Sequence, residues 1–189
     1  EVLISRRQDP VVWGEAGHGP LTAHQLHHYE DNGFLHFDDL LSPDEVQACL
    51  DELQRLNTGS LAVHLDIRFT EIGPDYLRGT MPVDERTRQP FGLLHGGASV
   101  SLAETLGSVA ANCCVDGPKF HCVGQEINAN HLRSARSGQV TGTARPVHLG
   151  SRSQVWDIRI EDEQGRLTCV SRLTMSVLES RPAQDGKDA

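Results

Sequence analysis

Phe91-Gly-Leu-Leu-His95-Gly-Gly-Ala-Ser-Val-Ser-Leu-Ala-Glu104-Thr-Leu-Gly-Ser108-Val-Ala-Ala-Asn-Cys-Cys114 carries one formal charge, Glu104, the only one between Arg88 and Asp116. A Gly-rich turn feeds an apolar, small-residue segment of helical length. A carboxylate in such a segment is costly to bury unless it is hydrogen-bonded or does chemistry. Nine residues earlier, His95 is followed by Gly96 and Gly97, whose amides open the helix. A helix N-terminus offers free N–H donors and a partial positive charge. One segment therefore supplies a carbonyl-polarising end and a lone acid about two turns inside it.

Glu104 and Ser108 are four apart and share a helix face. In apolar surroundings a carboxyl has a raised pKa and can act as base or nucleophile; facing solvent or an interface ion pair is the alternative. Gln89-Pro-Phe-Gly-Leu-Leu-His95-Gly96 places an amide, an imidazole and a free N–H within eight residues. Acyl transfer needs a donor where the carbonyl oxygen becomes negative and a group near the leaving atom. A tight turn capped by His95 is the alternative reading.

Around this helix the pattern is β. Residues 65–69 alternate, Gly73-Pro74-Asp75 turns, and 76–83 reads as a second strand. After the helix come strands expected at 122–129, 139–148, 153–160 and 166–178, the last two joined by a hairpin turn ending in Gly165. Residues 61–178 thus read β-β-α-β-β-β-β. One long apolar helix with a run of antiparallel strands predicts an α+β domain whose sheet wraps the helix.

Upstream the character changes. Residues 1–20 are loop-like. A helix is expected from about 21 to 32 with Thr22 as N-cap, stopped by Gly33, and 34–37 is a candidate short strand. Ser42, Pro43 and Glu45 then open a second helix running to about Leu56. Residues 1–58 hold eleven acids and three Arg, a net of −8 out of −9 for the chain. The division expected is an acidic helical segment over 1–55, a domain over 56–178 and a frayed polar tail over 179–189. The acidic excess, nearly all of it in the first third, argues against nucleic acid as the main partner. No apolar run approaches the roughly 20 residues that span a bilayer. Five cysteines with no C-x-x-C or zinc spacing read as reduced, buried thiols of a cytoplasmic protein, with Cys113 and Cys114 in the core near a helix end.

Asn128-Ala-Asn-His131-Leu-Arg133 and His148-Leu-Gly-Ser151-Arg152 offer basic and hydroxyl groups at strand ends, where they could hold phosphates or simply be solvated. His64-Leu-Asp66 fits the start of an iron triad, and His24 and His28 stand at metal-binding spacing. An alternating strand and a solvated helix face are the better readings of these two.

With these residues in hand, about 52–178 resembles the hotdog-fold acyl-CoA thioesterases, in the branch that hydrolyses aromatic acyl-CoAs such as 1,4-dihydroxy-2-naphthoyl-CoA and hydroxybenzoyl-CoA. The resemblance rests on Leu65-Asp-Ile-Arg-Phe69, Met81-Pro-Val-Asp84, Gln89 through Ser99, Leu102-Ala-Glu104, Gly107-Ser108, Glu126-Ile-Asn-Ala-Asn-His131, His148 through Arg152 and Ser171-Arg-Leu-Thr174. It implies a hotdog fold, an antiparallel sheet around one long central helix, here with an extra N-terminal helical segment. It also implies that Glu104 attacks the thioester carbonyl or activates water, and that the Gly96 N–H polarises that carbonyl. Gln89 and His95 match positions near the sulfur and the nucleophile, and Ser108 a hydroxyl that helps hold water. Arg133, Ser151 and Arg152, with His131 beside them, match the coenzyme A-binding positions. No cofactor or metal is implied. The site would lie across a dimer interface, with dimers pairing into homotetramers and no membrane partner.

Residues of about 8–55 resemble the N-terminal stretch of ectoine hydroxylase, through Asp9-Pro-Val-Val-Trp13, Gly19-Pro-Leu-Thr22, Tyr29 to Phe34 and Leu41 to Val46. The iron and 2-oxoglutarate ligands of that family would lie further along, and nothing here follows with that pattern. Three function classes result: a metal-free thioesterase on aromatic acyl-CoAs, a catalytically quiet acyl-CoA-binding or scaffolding module, and an iron- and 2-oxoglutarate-dependent hydroxylase suggested by the first 55 residues, which iron binding through His64 and Asp66 would support.

Overall fold

The computed structural model describes residues 21–32 and 41–180. The loop expected over 1–20, the Gly33 stop, the strand at 34–37 and residues 181–189 lie outside them. The chain divides into two units, 1–42 and 43–189. In the first, α1 (Ala23–Asn32) starts on a reciprocal cap. The Gln25 N–H donates to Thr22 Oγ1 at 3.2 Å, and the Thr22 N–H donates to Gln25 Oε1 at 2.8 Å.

The second unit runs α2 (Pro43–Leu56), α3 (Leu61–His64), β1 (Arg68–Ile72), β2 (Leu77–Pro82), α4 (Gly96–Cys113), β3 (Phe120–His131), β4 (Gln139–Leu149), β5 (Ser153–Asp162) and β6 (Leu167–Glu179). All strand pairs are antiparallel, in the order β1-β2-β4-β5-β6-β3. The first strand starts three residues later than the alternation of 65–69 predicts. Asp66 has φ 54, a left-handed turn out of α3 that extended backbone cannot include. The side chains of 65–69 still alternate in burial, with Leu65, Ile67 and Phe69 in the core.

Helix α4 lies on the sheet through Ala98, Ser99, Leu102, Ala103, Leu106, Gly107, Ala110 and Ala111, a stripe at helical spacing. Its small residues bring it close. Gly79 and Gly142 face each other across β2 and β4, and a Cβ on either would fall within 2.8 Å of Leu106. The two glycines form the notch that seats Leu106, and truncating a leucine so enclosed costs about 2–5 kcal/mol. Trp156, Ile158, Ile160, Leu173 and Met175 complete the floor. The buried stripe stops at Ala111, and beyond it the helix meets the sheet through Asn112, bonded to Cys122 of β3. Cys113 and Cys114, past the end of the stripe, are exposed, contrary to the expected core position; Cys49 is exposed too, and only Cys122 and Cys169 are buried.

The sheet edges differ. Outside β1 lies α2, whose Gln54 side chain acts as a short piece of strand: Nε2 donates to the Ile67 carbonyl at 3.2 Å, and Oε1 accepts the Phe69 N–H at 3.3 Å. At the other edge the twelve-residue β3 pairs, among the described residues, only with β6, and Cys122 is its one buried residue.

Candidate active site

His95 is the N-cap of α4, with extended backbone (φ −70, ψ 134), and its Nδ1 accepts the Gly97 N–H at 2.8 Å. That bond requires an unprotonated Nδ1 and leaves Nε2–H as an outward donor. The Gly96 N–H, first in the helix, finds no acceptor among the described residues. It points out of a helix N-terminus as a free donor.

Gln89 sits in the turn leading to this end. Its N–H donates to the Leu93 carbonyl, its carbonyl accepts the Gly92 N–H, and its Oε1 accepts the Phe91 N–H at 2.8 Å. With Oε1 engaged, the Gln89 NH2 is the group left to meet a ligand. A cavity of about 310 Å³ opens here between Gln89, Gly96, Ser99, His131, Arg133 and Thr168. His131, last in β3, lies over Gly96: a Cβ added to that glycine would stand 2.7 Å from His131 Nε2.

Glu104 lies two turns along α4 and is half-buried. Burial pushes its carboxyl above the ordinary glutamate range, while a hydrogen bond from Ser108 pulls the other way. Ser108 Oγ donates to Glu104 Oε1 at 3.5 Å and stands 3.8 Å from Met175 Sδ. No cation pairs with Glu104 among the described residues. The carboxylate rests on β3 at Gly124, where a Cβ would collide with Oε1. The register of β3 on β6 shifts between Gly124 and Glu126, so this glycine opens a bulge in the strand. The bulge and the missing side chain let an acid on the helix reach the sheet edge. Gly124 is a site residue that sequence reasoning passed over; an isolated glycine inside a strand pattern was its signal. Asn112 fixes the same junction, donating to the Cys122 carbonyl at 3.1 Å and accepting the Cys122 N–H at 2.8 Å.

The chain thus gathers Gln89, Gly96, His131 and Arg133 at one end of α4 and His95 at its cap, with Glu104 and Ser108 further along. It does not bring Arg133 and Arg152 together. The Arg133 N–H meets the Thr168 carbonyl at one end of β6, and the Arg152 carbonyl meets the Val177 N–H at the other. Nine strand residues separate them, roughly 30 Å. Ser151 and Arg152 are exposed in the β4–β5 turn. Of the metal readings, Asp66 is engaged by Arg68 at 2.8 Å and Arg86 at 3.6 Å, and His64 ends α3. In α1 His27 pairs with Asp31 at 3.4 Å, and His24 and His28 lie in the same helix.

Comparison with known proteins gives the family. Residues 91–169 match the model of the thioesterase superfamily. The chain is 60% identical over 129 residues to 1,4-dihydroxy-2-naphthoyl-CoA hydrolase of Escherichia coli (strain K12), covering 68% of this chain and 94% of that protein. It is 53% identical over 131 residues to the proofreading thioesterase EntH of Cronobacter turicensis, covering 68% and 93%. A crystal structure of a mutant of thioesterase PA1618 from Pseudomonas aeruginosa superposes with a TM-score of 0.69 at 51% identity, over 69% of this chain and 94% of that one. The chain therefore belongs to the thioesterase superfamily and has its hotdog fold.

Proposed function

We propose that the protein hydrolyses aromatic acyl-CoAs, of the 1,4-dihydroxy-2-naphthoyl or hydroxybenzoyl kind, in sites that two copies of the chain build together. The observation that carries this reading is the position of Glu104, a half-buried acid without a cationic partner among the described residues, lodged at Gly124 on an open strand edge. The thioester carbonyl oxygen accepts the Gly96 N–H, which stabilises the charge that develops there. Glu104 attacks the carbonyl carbon or takes a proton from the water that does, with Ser108 holding that water. The Gln89 NH2 and the His95 Nε2–H stand near the sulfur and the nucleophile. The C–S bond breaks; where Glu104 itself attacks, this leaves an acyl–Glu104 anhydride that water then hydrolyses. In either route the consumed water gives its hydroxyl to the acyl carbon and its proton to the sulfur, so coenzyme A leaves as its thiol, the acid is released and Glu104 is regenerated. Arg133, His131, Ser151 and Arg152 hold the coenzyme A phosphates.

Two copies are needed for a geometric reason. A carbonyl bonded to an N–H and in attack range of a carboxylate spans less than about 8 Å between the two groups. Within one chain the Glu104 carboxylate turns toward Ser108, away from Gly96. It lies beside Gly124, whereas Gly96 lies beside His131. Those partners are seven residues apart on β3, about 20 Å. An antiparallel copy of β3 on the free edge, with a two-fold axis near Ile127 and Asn128, sets Gly124 opposite the second copy's residue 131. Glu104 then faces the second copy's Gly96, and the unpaired edge is covered. Dimers pairing into a tetramer would bring the two ends of β6 from different copies to one coenzyme A, which accounts for Arg133 and Arg152 serving together. Residues 56–178 form the catalytic domain in this reading, with 1–55 as an accessory segment and 179–189 as a tail.

The direct test is thiol release from 1,4-dihydroxy-2-naphthoyl-CoA, hydroxybenzoyl-CoA and short aliphatic acyl-CoAs. Release with an aromatic preference is expected. Tight binding of every ester with no release would instead make the chain an acyl-CoA-binding module.

A further inference from the structure

One end of the open β3 edge is already occupied. The Asn112 side chain donates from Nδ2 to the Cys122 carbonyl at 3.1 Å and accepts the Cys122 N–H on Oδ1 at 2.8 Å. The same Nδ2 donates to the Ser108 carbonyl at 2.9 Å, which fixes the orientation of the amide from within α4. Cys122 stands opposite Val177 of β6, and the Val177 N–H donates to the Arg152 carbonyl, on the β5 side. Opposite residues of an antiparallel pair exchange both their bonds or neither. The Cys122 N–H and carbonyl therefore point away from β6, along the edge where a second copy would pair. Asn112 does there what Gln54 does at β1, taking up strand groups with an amide.

Past the bulge between Gly124 and Glu126, the alternation turns Ile127, Ala129 and His131 outward. The two-fold pairing proposed above then sets Gly124 opposite the second copy's residue 131, Ile127 opposite residue 129, and Asn128 opposite itself. This ladder stops where the strand stops: the Leu132 and Arg133 N–H groups turn back to the Thr168 carbonyl of their own chain. Side chains keep their faces of the sheet only in slips of two residues. A slip in one direction runs off that end and shortens the ladder. A slip in the other direction brings Cys122 opposite the second copy's residue 131 and lengthens it. That slip carries Gly124 from residue 131 to residue 129, about 7 Å. Glu104, seated at Gly124, moves with it. The alternation of side chains permits the longer pairing, and the bonds already made to Cys122 oppose it.

We infer that Asn112 is a positioning residue that fixes the register between two copies of the chain. By occupying Cys122 it denies the longer, slipped pairing and holds Glu104 of one copy against Gly96 of the other. This rests on the two-copy reading above. Asn112 acts through the strand edge, without a part in the bond-making steps.

The test reads the register directly. Asn128→Cys places one thiol per chain at the two-fold axis, on an exposed position. In the expected register the two Cα atoms lie about 4.5 Å apart, within disulfide reach; after the slip they lie on a diagonal of about 7–8 Å, beyond it. The chain is incubated with oxidised glutathione, and mass spectrometry of the linked peptide separates this bond from any among the native cysteines. The linked fraction should be high with Asn112 present and fall several-fold when Asn112→Ala is added, while sedimentation still shows dimers. Asn112→Ala alone should lose about tenfold or more in kcat on aromatic acyl-CoA, since a misplacement of about 1 Å can already cost about 10²-fold. An Asn112→Ala dimer that links undiminished, or a folded Asn112→Ala chain that no longer pairs, would overturn the inference and leave Asn112 a structural residue. Should Asn112→Ala not fold, Asn112→Asp keeps the shape and the bond to the Cys122 N–H but turns an oxygen toward the Cys122 carbonyl, and the linked fraction must fall there too. A strong, Asn112-dependent link in a chain that hydrolyses no ester would uphold the register device and remove the thioesterase reading. Hydrolysis with no link, even with Asn112 present, would overturn the pairing and this inference with it.

Discussion

The sheet has two edges, and the chain treats them in opposite ways. At β1 an amide side chain, Gln54, occupies the strand's free carbonyl and N–H, and α2 lies over the rest. At β3 twelve residues keep one side unpaired among the described residues, and the α4 acid, Glu104, is carried up to that side. Long open edges invite pairing, and proteins normally block them. A chain that spends a helix on one edge and leaves the other bare has a use for the bare one. On the proposed reading, the chemistry belongs to the β3 edge and the β1 edge is structural.

The largest effect expected is from Glu104→Gln, which keeps the shape and the Ser108 contact but removes the charge. Steady-state kinetics should show a loss of about 10²–10⁴-fold in kcat; retained turnover would take the chemistry away from the β3 edge. Gly96→Pro comes next. His95 is already extended, as a residue before proline must be, and proline suits the first helical position. No hydrogen bond within the described chain is lost, and the new ring need displace only the tip of His131. The substitution therefore deletes the polarising N–H with little structural cost, and kcat should fall about 10²–10³-fold. Gly124→Val tests the seat of the acid. Its side chain evicts the carboxylate while suiting a strand, so kcat should drop about 10²-fold with the melting temperature preserved.

The capped edge should answer differently. Gln54→Ala leaves two strand groups without their partner and should cost about 1–3 kcal/mol in urea unfolding, with kcat unchanged. A kcat loss there matching that of Gly124→Val would erase the distinction between the edges. The smallest effect is on pH dependence. Because burial holds the Glu104 carboxyl above its usual range, kcat should climb with pH along a limb lying above the ordinary glutamate value of about 4.3. For stability the sign is reversed. A folded-state acid with a raised pKa contributes stability that is present below its unfolded value and lost as pH rises through the folded value. Glu104→Gln cannot ionise, so its melting temperature should gain on that of the unaltered chain between acid and neutral pH.

Much of this was legible in the residues. The isolation of Glu104 among uncharged neighbours, the double glycine after His95 and the period-two strands are local signals, and the helix and sheet follow from them. The resemblance carried by Gln89 to Ser108 added the fold's name and the roles proposed above. What escaped was set by packing between distant segments. Asp66 reads as part of an alternating strand, yet its left-handed backbone delays β1. Cys113 and Cys114 read as core because they follow an apolar run, but the buried stripe of the helix ends at Ala111 and leaves them exposed. Gly124 is one glycine among eighteen, and only the meeting of α4 with a bulged edge strand gives it a role. The separation of Arg133 from Arg152 depends on the course of β6, which no motif displays.

The central claim is that each site joins Glu104 of one copy to Gly96 of another. Glu104→Gln and Gly96→Pro chains should each be nearly inactive alone. Unfolded together and refolded as a mixture, they form mixed dimers in which one of the two sites has both native groups. Hydrolysis of aromatic acyl-CoA should then return to about a quarter of the unaltered rate, as random pairing about a two-fold axis requires. A mixture no more active than its components, at concentrations where dimers are seen by sedimentation, would contradict the account and return the whole site to a single chain.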